Sequence, residues 1–236
     1  INVILFVATI LLPGILERRG ISIDLNDVMG MHYVASQKFN PAQMITYMFM
    51  HGSFSHIFFN MFAVYMFGGI LERVWGPKKF LIFYLVSGLG AAIVQQLFWY
   101  FEFHTVVSAF NSAISSGSVD SLRAYFSGDI SGMTVLDVIK LKDLLLNMPV
   151  TIGASGSVFG LLLAFGWLFP EERLFLMFIP VPIKARWFVL GYGVAELFLG
   201  VAQFSGDSVA HFAHLGGMLF GALLIYYWKK KGSLYS

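Results

Sequence analysis

Six stretches of this chain are apolar for long enough to be membrane crossings, and that feature decides most of what it can fold into. A spanning helix needs about 20 mostly apolar residues. The stretches are residues 1–16, 43–71, 79–101, 151–169, about 187–204, and 208–228. The first is short and is closed by Pro13-Gly14, and the fifth follows an apolar, hairpin-like piece carrying Pro180 and Pro182. Backbone polar groups in lipid must be satisfied inside the chain, so spans are helices or closed barrels. A barrel would alternate over segments of about ten residues; these runs are continuous. Composition agrees: hydrophobic residues are 58% and charged residues 12%, against roughly 25% charged in a soluble domain. The fold class expected is all-α, a polytopic membrane protein with six transmembrane helices in a single domain over 1–236.

Six spans put both ends on one side. The side holding the loops after the second and fourth spans and the tail carries nine basic residues, among them Arg73, Lys78, Arg173, Arg186 and Lys229–Lys231, against six on the other. The excess predicts that both termini are cytoplasmic, although Arg18 and Arg19 beside the first span argue the other way. A multi-pass protein of a bacterial plasma (inner) membrane is expected. The start at Ile1, already apolar, reads as trimmed rather than as a signal peptide. A net charge of +2 without a basic run gives no footprint for nucleic acid. The absence of cysteine removes disulfides, thiolate metal sites and cysteine nucleophiles together.

Two segments outside the apolar runs are long, 17–42 and 102–150. The second begins rich in serine and glycine, from Ser108 to Ser118. From Thr134 to Met148 it has a helical pattern, with Asp137, Lys140, Asp143 and Asn147 on one face and Val135, Leu136, Val138, Ile139, Leu144, Leu145 and Leu146 crowding the other. Such a helix either lies in the membrane interface or packs on the bundle. Trp75, Trp99, Trp187 and Trp228 fall near span ends and read as interfacial anchors.

Polar groups at membrane depth ordinarily mark a site or a cavity. Here they concentrate in three runs: His51, His56 and Asn60 in the second, Gly153-Ala154-Ser155-Gly156 opening the fourth, and His211 and His214 opening the sixth. His56 and Asn60, four apart, share a helix face. Gly156/Gly160 and Gly217/Gly221 are small pairs that let helix backbones approach closely in lipid. A crossing there would bring Ser155 to His214. A serine hydroxyl becomes a nucleophile when a histidine takes its proton, and the same histidine can return it to the leaving group. His56, Asn60 and the Ser155 amide could then donate to an oxyanion, each donor contributing about 10²–10³ in rate. A lone Gly-x-Ser-Gly is mostly a packing motif; it is the conjunction of three motifs that carries weight. Glu196, in the fifth run, reads as a structural carboxylate, protonated or hydrogen-bonded to a neighbouring helix, with a proton relay as the alternative. His32 and His104 receive no role.

These residues resemble the rhomboid family of intramembrane serine proteases. The resemblance runs from about Pro41 to Gly221 and rests on Gly153-Ala154-Ser155-Gly156, on His51 to Asn60 followed by Gly68-Gly69 and Glu72-Arg73, and on the His-x-x-Gly-x-x-x-Gly pattern of His214, Gly217 and Gly221. His211 fails that last pattern, since His214 rather than glycine stands three residues on. The resemblance implies a Ser155–His214 dyad without a carboxylate third member. It implies Phe159 as the ring that stacks on the base, where better-known bacterial members have tyrosine, and His51, Gly153 and Gly156 as supporting positions. The usual Trp-Arg pair is missing from 17–42, and 102–150 looks like an insertion.

The reaction implied is hydrolysis of a peptide bond in or near a substrate's transmembrane helix, without metal or organic cofactor. The partners are transmembrane protein substrates and the lipid bilayer; oligomeric state is not legible. A helix hides its carbonyls, so the scissile segment must unwind first. The alternative function is an inactive rhomboid-like protein that binds transmembrane helices. A transporter is less favoured, because no repeat or paired broken helices are visible.

Overall fold

The computed structural model describes residues 1–176, 179–203 and 209–235. In chain order the elements are α1 (Asn2–Glu17), α2 (Leu25–Met29), β1 (Met31–His32), α3 (Gln43–Thr46), α4 (Phe54–Ala63), α5 (Gly69–Ser116), α6 (Val135–Asn147), β2 (Val150–Thr151), α7 (Ser155–Leu168), β3 (Arg173–Leu176), β4 (Ile179–Lys184), α8 (Ala185–Ala202) and α9 (His211–Lys230). The protein is predominantly helical. Its strands form two small antiparallel pairs, β1 with β2 and β3 with β4.

The second apolar run does not begin its long helix at residue 43. A short α3 and a 3-10 turn at Tyr47–Phe49 come first, and the long helix starts only at Phe54. Its start is set by Ser53, whose side chain accepts from the His56 backbone N–H at 3.1 Å. The helix continues through a wide turn at Val64–Gly68 into α5 and breaks at Gly76, where φ is +77°. Pro77 follows and opens the next arm, a position where its missing N–H costs nothing. The chain reverses there. A Cβ placed on Gly68 would touch the Phe80 ring at 3.1 Å, whereas a straight helix would hold those residues about 18 Å apart.

Several expectations are corrected. The helix after Gly76 runs to Ser116 rather than ending near 101, so the serine-rich start of the 102–150 segment is helix. Serine is tolerated there because Ser115 and Ser116 hydroxyls donate to the Ser112 carbonyl within the helix. A left-handed Gly117 ends it. The helix predicted from Thr134 to Met148 is α6, opened by reciprocal hydrogen bonds between Thr134 and Asp137. Of the two placements open for it, packing is observed: Phe110, Ala113, Leu122 and Val138 form a small core between α6 and the α5 extension. α1 runs through Pro13 to Glu17 instead of stopping there. The hairpin-like piece at Pro180 and Pro182 is the β3–β4 hairpin. Residue 204 of the fifth run and residue 208 of the sixth lie outside the described residues. Three of the four tryptophans read as anchors are core: Trp75 packs on Phe83 and Trp228, and Trp99 on Tyr33, while Trp187 is exposed. An indole buries a large apolar area, and edge-to-face aromatic partners add to that gain.

Two described helical stretches are both long and apolar enough to cross a membrane, Phe54–Ser116 and Ala185–Ala202; Asn2–Glu17 and Ser155–Leu168 are apolar but shorter. The centre of the molecule is α9, flanked by α5 and α7, with α8 outside them. α1 buries no residue.

Candidate active site

Ser155 is the first residue of α7, and three contacts fix where that helix begins. Thr151 pairs with Met31 across β1–β2. The Gly153 N–H donates to the Tyr47 carbonyl at 2.9 Å. Within the first turn of α7, the Ser157 hydroxyl donates to the Tyr84 carbonyl at 2.8 Å. The Tyr47 hydroxyl itself donates to the Gly88 carbonyl at 2.7 Å. The loop before the serine is therefore held by β1 and by Tyr47, which is itself anchored on α5, and the start of α7 is held directly by α5.

Gly153 has φ +130°, and a Cβ there would sit 2.6 Å from His56 Nε2. Glycine is required on both counts: by backbone conformation, and by the imidazole beside it. The N-terminal amides of α7 lack intrahelical acceptors by construction, so the Ser155 N–H is available beside His56.

The glycine-lined crossing of α7 and α9 is present. A Cβ on Gly217 would run into the Gly156 carbonyl, and a Cβ on Gly160 would lie 3.1 Å from the Gly217 carbonyl. No other residue type permits that approach. It sets His214 Nε2 2.8 Å from Ser155 Oγ, across 59 residues of sequence. The Phe159 ring stacks on the His214 imidazole at 4.2 Å and 7°, and Tyr192 of α8 stacks on Phe159 from behind at 5.3 Å.

The remaining expected residues are placed as follows. His56 and His51 meet edge to face at 5.0 Å; His51 is fully enclosed, whereas His56 is half-buried. Asn60 is buried, and its amide donates to the His56 carbonyl of its own helix at 2.8 Å. One of its two amide hydrogens is thus engaged away from an oxyanion. His211 is not on the serine, as its failure to fit the glycine pattern predicts. Its Nδ1 lies 2.6 Å from Glu196 Oε2.

Glu196 overturns the expectation of a serine–histidine pair with no carboxylate nearby. Its Oε2 is also 2.9 Å from His214 Nδ1, and all three side chains are buried. The reading of Glu196 as bonded to a neighbouring helix holds, and its partners there are His214 and His211 of α9. The carboxylate comes from the fifth apolar run, outside the three runs that carry the motifs. The signal was in view: Glu196 is the one carboxylate inside any of the six runs, and a lone acid at that depth requires a partner. Tyr192, one turn earlier on the same face, carried no comparable signal.

Glu196, His211 and His214 each offer a ligand atom within 4.8 Å of the others. Separations of 2.6 and 2.9 Å are hydrogen-bond distances. Donors around a tetrahedral zinc stand about 3.3 Å apart, given bonds of about 2.0–2.1 Å. The geometry is that of two imidazoles hydrogen-bonded to one carboxylate oxygen.

A family model described as the rhomboid domain matches residues 38–231. The chain is 32% identical over 149 residues to the mitochondrial rhomboid protein 1 of Saccharomyces cerevisiae, covering 61% of this chain and 42% of that one. It is 30% identical over 102 residues to the rhomboid protease AarA of Providencia stuartii (43% and 35% covered), and 38% identical over 61 residues to the rhomboid protease GlpG of Salmonella choleraesuis (26% and 22% covered). The chain therefore belongs to the rhomboid family, a family of membrane-embedded proteins that includes serine proteases. It spans less than half the length of these relatives. They are named from mitochondria as well as from bacteria, which supports a membrane but not the bacterial plasma membrane expected from sequence.

Proposed function

We propose that the protein is an intramembrane serine endopeptidase that hydrolyses peptide bonds in or near transmembrane helices of other proteins. The observation that carries this reading is the 2.8 Å contact between His214 Nε2 and Ser155 Oγ, inside a chain of the rhomboid family. Ser155 Oγ attacks the scissile carbonyl while His214 Nε2 takes its proton, and the protonated His214 then delivers that proton to the departing amide nitrogen. Water, deprotonated by the same Nε2, hydrolyses the acyl-enzyme and restores the serine. The Ser155 amide and His56 stabilise the tetrahedral oxyanion, with Asn60 contributing its second amide hydrogen. Phe159 holds the plane of the base by stacking.

Six helices cross the bilayer in this reading: α1, the arm from Phe54 to Trp75, the arm from Pro77 onward, α7, α8 and α9. Even crossings place both ends on the face that carries the excess of basic residues. Ser155 and the histidines then sit at the opposite ends of their helices, where water can enter. Unwinding is the substrate's own cost, so helix-breaking residues near the scissile bond favour cleavage. The test is cleavage of a single-span model substrate in proteoliposomes. The parent cleaves; Ser155→Ala and His214→Ala, folded to the same melting temperature, do not. Unchanged cleavage by either variant refutes the assignment.

A further inference from the structure

We propose that Glu196 of α8 is the positioning residue for the base, so that the working unit is Ser155–His214–Glu196, with His211 as the second arm that fixes the carboxylate. This deepens the protease reading and rests on it. Stacking on Phe159 sets the plane of the His214 ring, but a phenyl ring has no polar atom and cannot choose which ring nitrogen carries the proton. Oε2 of Glu196 can. An ionised carboxylate only accepts, so the nitrogen 2.9 Å from it, Nδ1, must be the donor. The lone pair is then left on Nε2, which faces Ser155 Oγ at 2.8 Å. The opposite tautomer would point an N–H at the serine and leave no base.

The same oxygen takes a second hydrogen bond from His211 Nδ1 at 2.6 Å. His211 and His214 are three apart on α9, so both ring edges reach one point on α8. Two donors on one oxygen hold the carboxylate where a single contact would let it rotate. When His214 accepts the serine proton, its Nδ1–H bond to Oε2 becomes charge-assisted and strengthens as the reaction proceeds. The proton itself stays on Nε2 until it passes to the leaving nitrogen, and Glu196 takes no proton in the cycle.

α8 therefore acts on the base twice, at its edge through Glu196 and at its face through Tyr192 and Phe159. An outward shift of this helix would release both contacts together.

The experiment uses the full chain in detergent. The first readout is steady-state cleavage. Glu196→Gln keeps the shape but presents an amide that can donate to Nδ1 and impose the wrong tautomer. It lowers kcat by at least about 100-fold, below the roughly 10⁴-fold of a fully buried Asp→Asn in a serine protease, with KM within about threefold. Glu196→Asp, which keeps an acceptor, recovers at least tenfold of that loss. The second readout needs no turnover: nitrogen-15 spectra of histidine-labelled protein, with His214→Ala as the assignment control. The parent and Ser155→Ala carry the His214 proton on Nδ1, and Glu196→Gln moves it to Nε2. A kcat for a folded Glu196→Gln within threefold of the parent, or a His214 proton that stays on Nδ1 in Glu196→Gln, overturns the inference while leaving the protease reading intact. Failure of that reading shows separately, as a parent that does not cleave.

Discussion

The imidazole of His214 lies against Phe159 at 4.2 Å with 7° between the ring planes. Phe159 supplies what an aromatic ring can supply, a flat face, and nothing that hydrogen-bonds. Phe159→Tyr should accordingly retain kcat within about threefold, because the face is unchanged. Phe159→Leu should lose about tenfold in kcat, the equivalent of the upper end of an aromatic pair at about 1.5 kcal/mol. Steady-state cleavage by the two variants, at matched melting temperature, separates stacking from hydrogen bonding.

The α7–α9 crossing should be intolerant of one added methyl. Gly217→Ala places a carbon against the Gly156 carbonyl, and backbone cannot step aside as a flexible side chain would. A loss of about 1–3 kcal/mol is expected from overpacking, with the serine and histidine pushed apart. Gly191→Ala, where nothing lies within 4 Å, is the control: it should leave activity unchanged and should not lower the melting temperature, since alanine is favoured over glycine inside a helix. Thermal unfolding in detergent reads both.

His56 and Asn60 should not be equivalent. The imidazole of His56 stands against Gly153, two residues before the serine, while the Asn60 amide is partly engaged by the His56 carbonyl. His56→Ala should lower kcat by about 10²–10³, the effect of removing one oxyanion donor. Asn60→Ala should cost less than His56→Ala in kcat. Equal losses in the two variants would restore the symmetric roles that spacing alone suggests.

The start of α6 should be sensitive to acid. Hydrogen bonds from the Thr134 side chain and backbone hold the Asp137 carboxyl below its ordinary range. A carboxyl depressed on folding contributes stability above its unfolded value and loses it as pH falls through the folded one. Amide exchange over residues 135–138 should therefore accelerate as pH drops below the usual carboxylate range, after correction for intrinsic rates. Thr134→Val should flatten that dependence and raise exchange at neutral pH, as loss of a cap does.

Much of this arrangement was readable in the chain because its causes are local. The apolar runs announce helices, and Gly156, Gly160 and Gly217 announce where two of them touch, since only absent side chains allow such an approach. Ser155 and His214 follow from those glycines. What escaped depended on partners distant in sequence. Trp75 and Trp228 are buried against each other, a pairing that position near a span end does not disclose. The α5 extension to Ser116 is held by residues arriving from α6, so its own serine-rich composition does not announce a helix. Glu196 was visible as a buried acid, but its target was not, because nothing in helical spacing says which face of α8 meets α9.

The central claim is that Ser155 is a nucleophile made reactive by His214. Labelling of the purified protein with a fluorophosphonate, read by peptide mass spectrometry, tests it most directly. The account predicts a single adduct on Ser155 in the parent, none in Ser155→Ala, and at most trace labelling in His214→Ala. Equal labelling of the parent and His214→Ala, or an adduct on another serine, would contradict it.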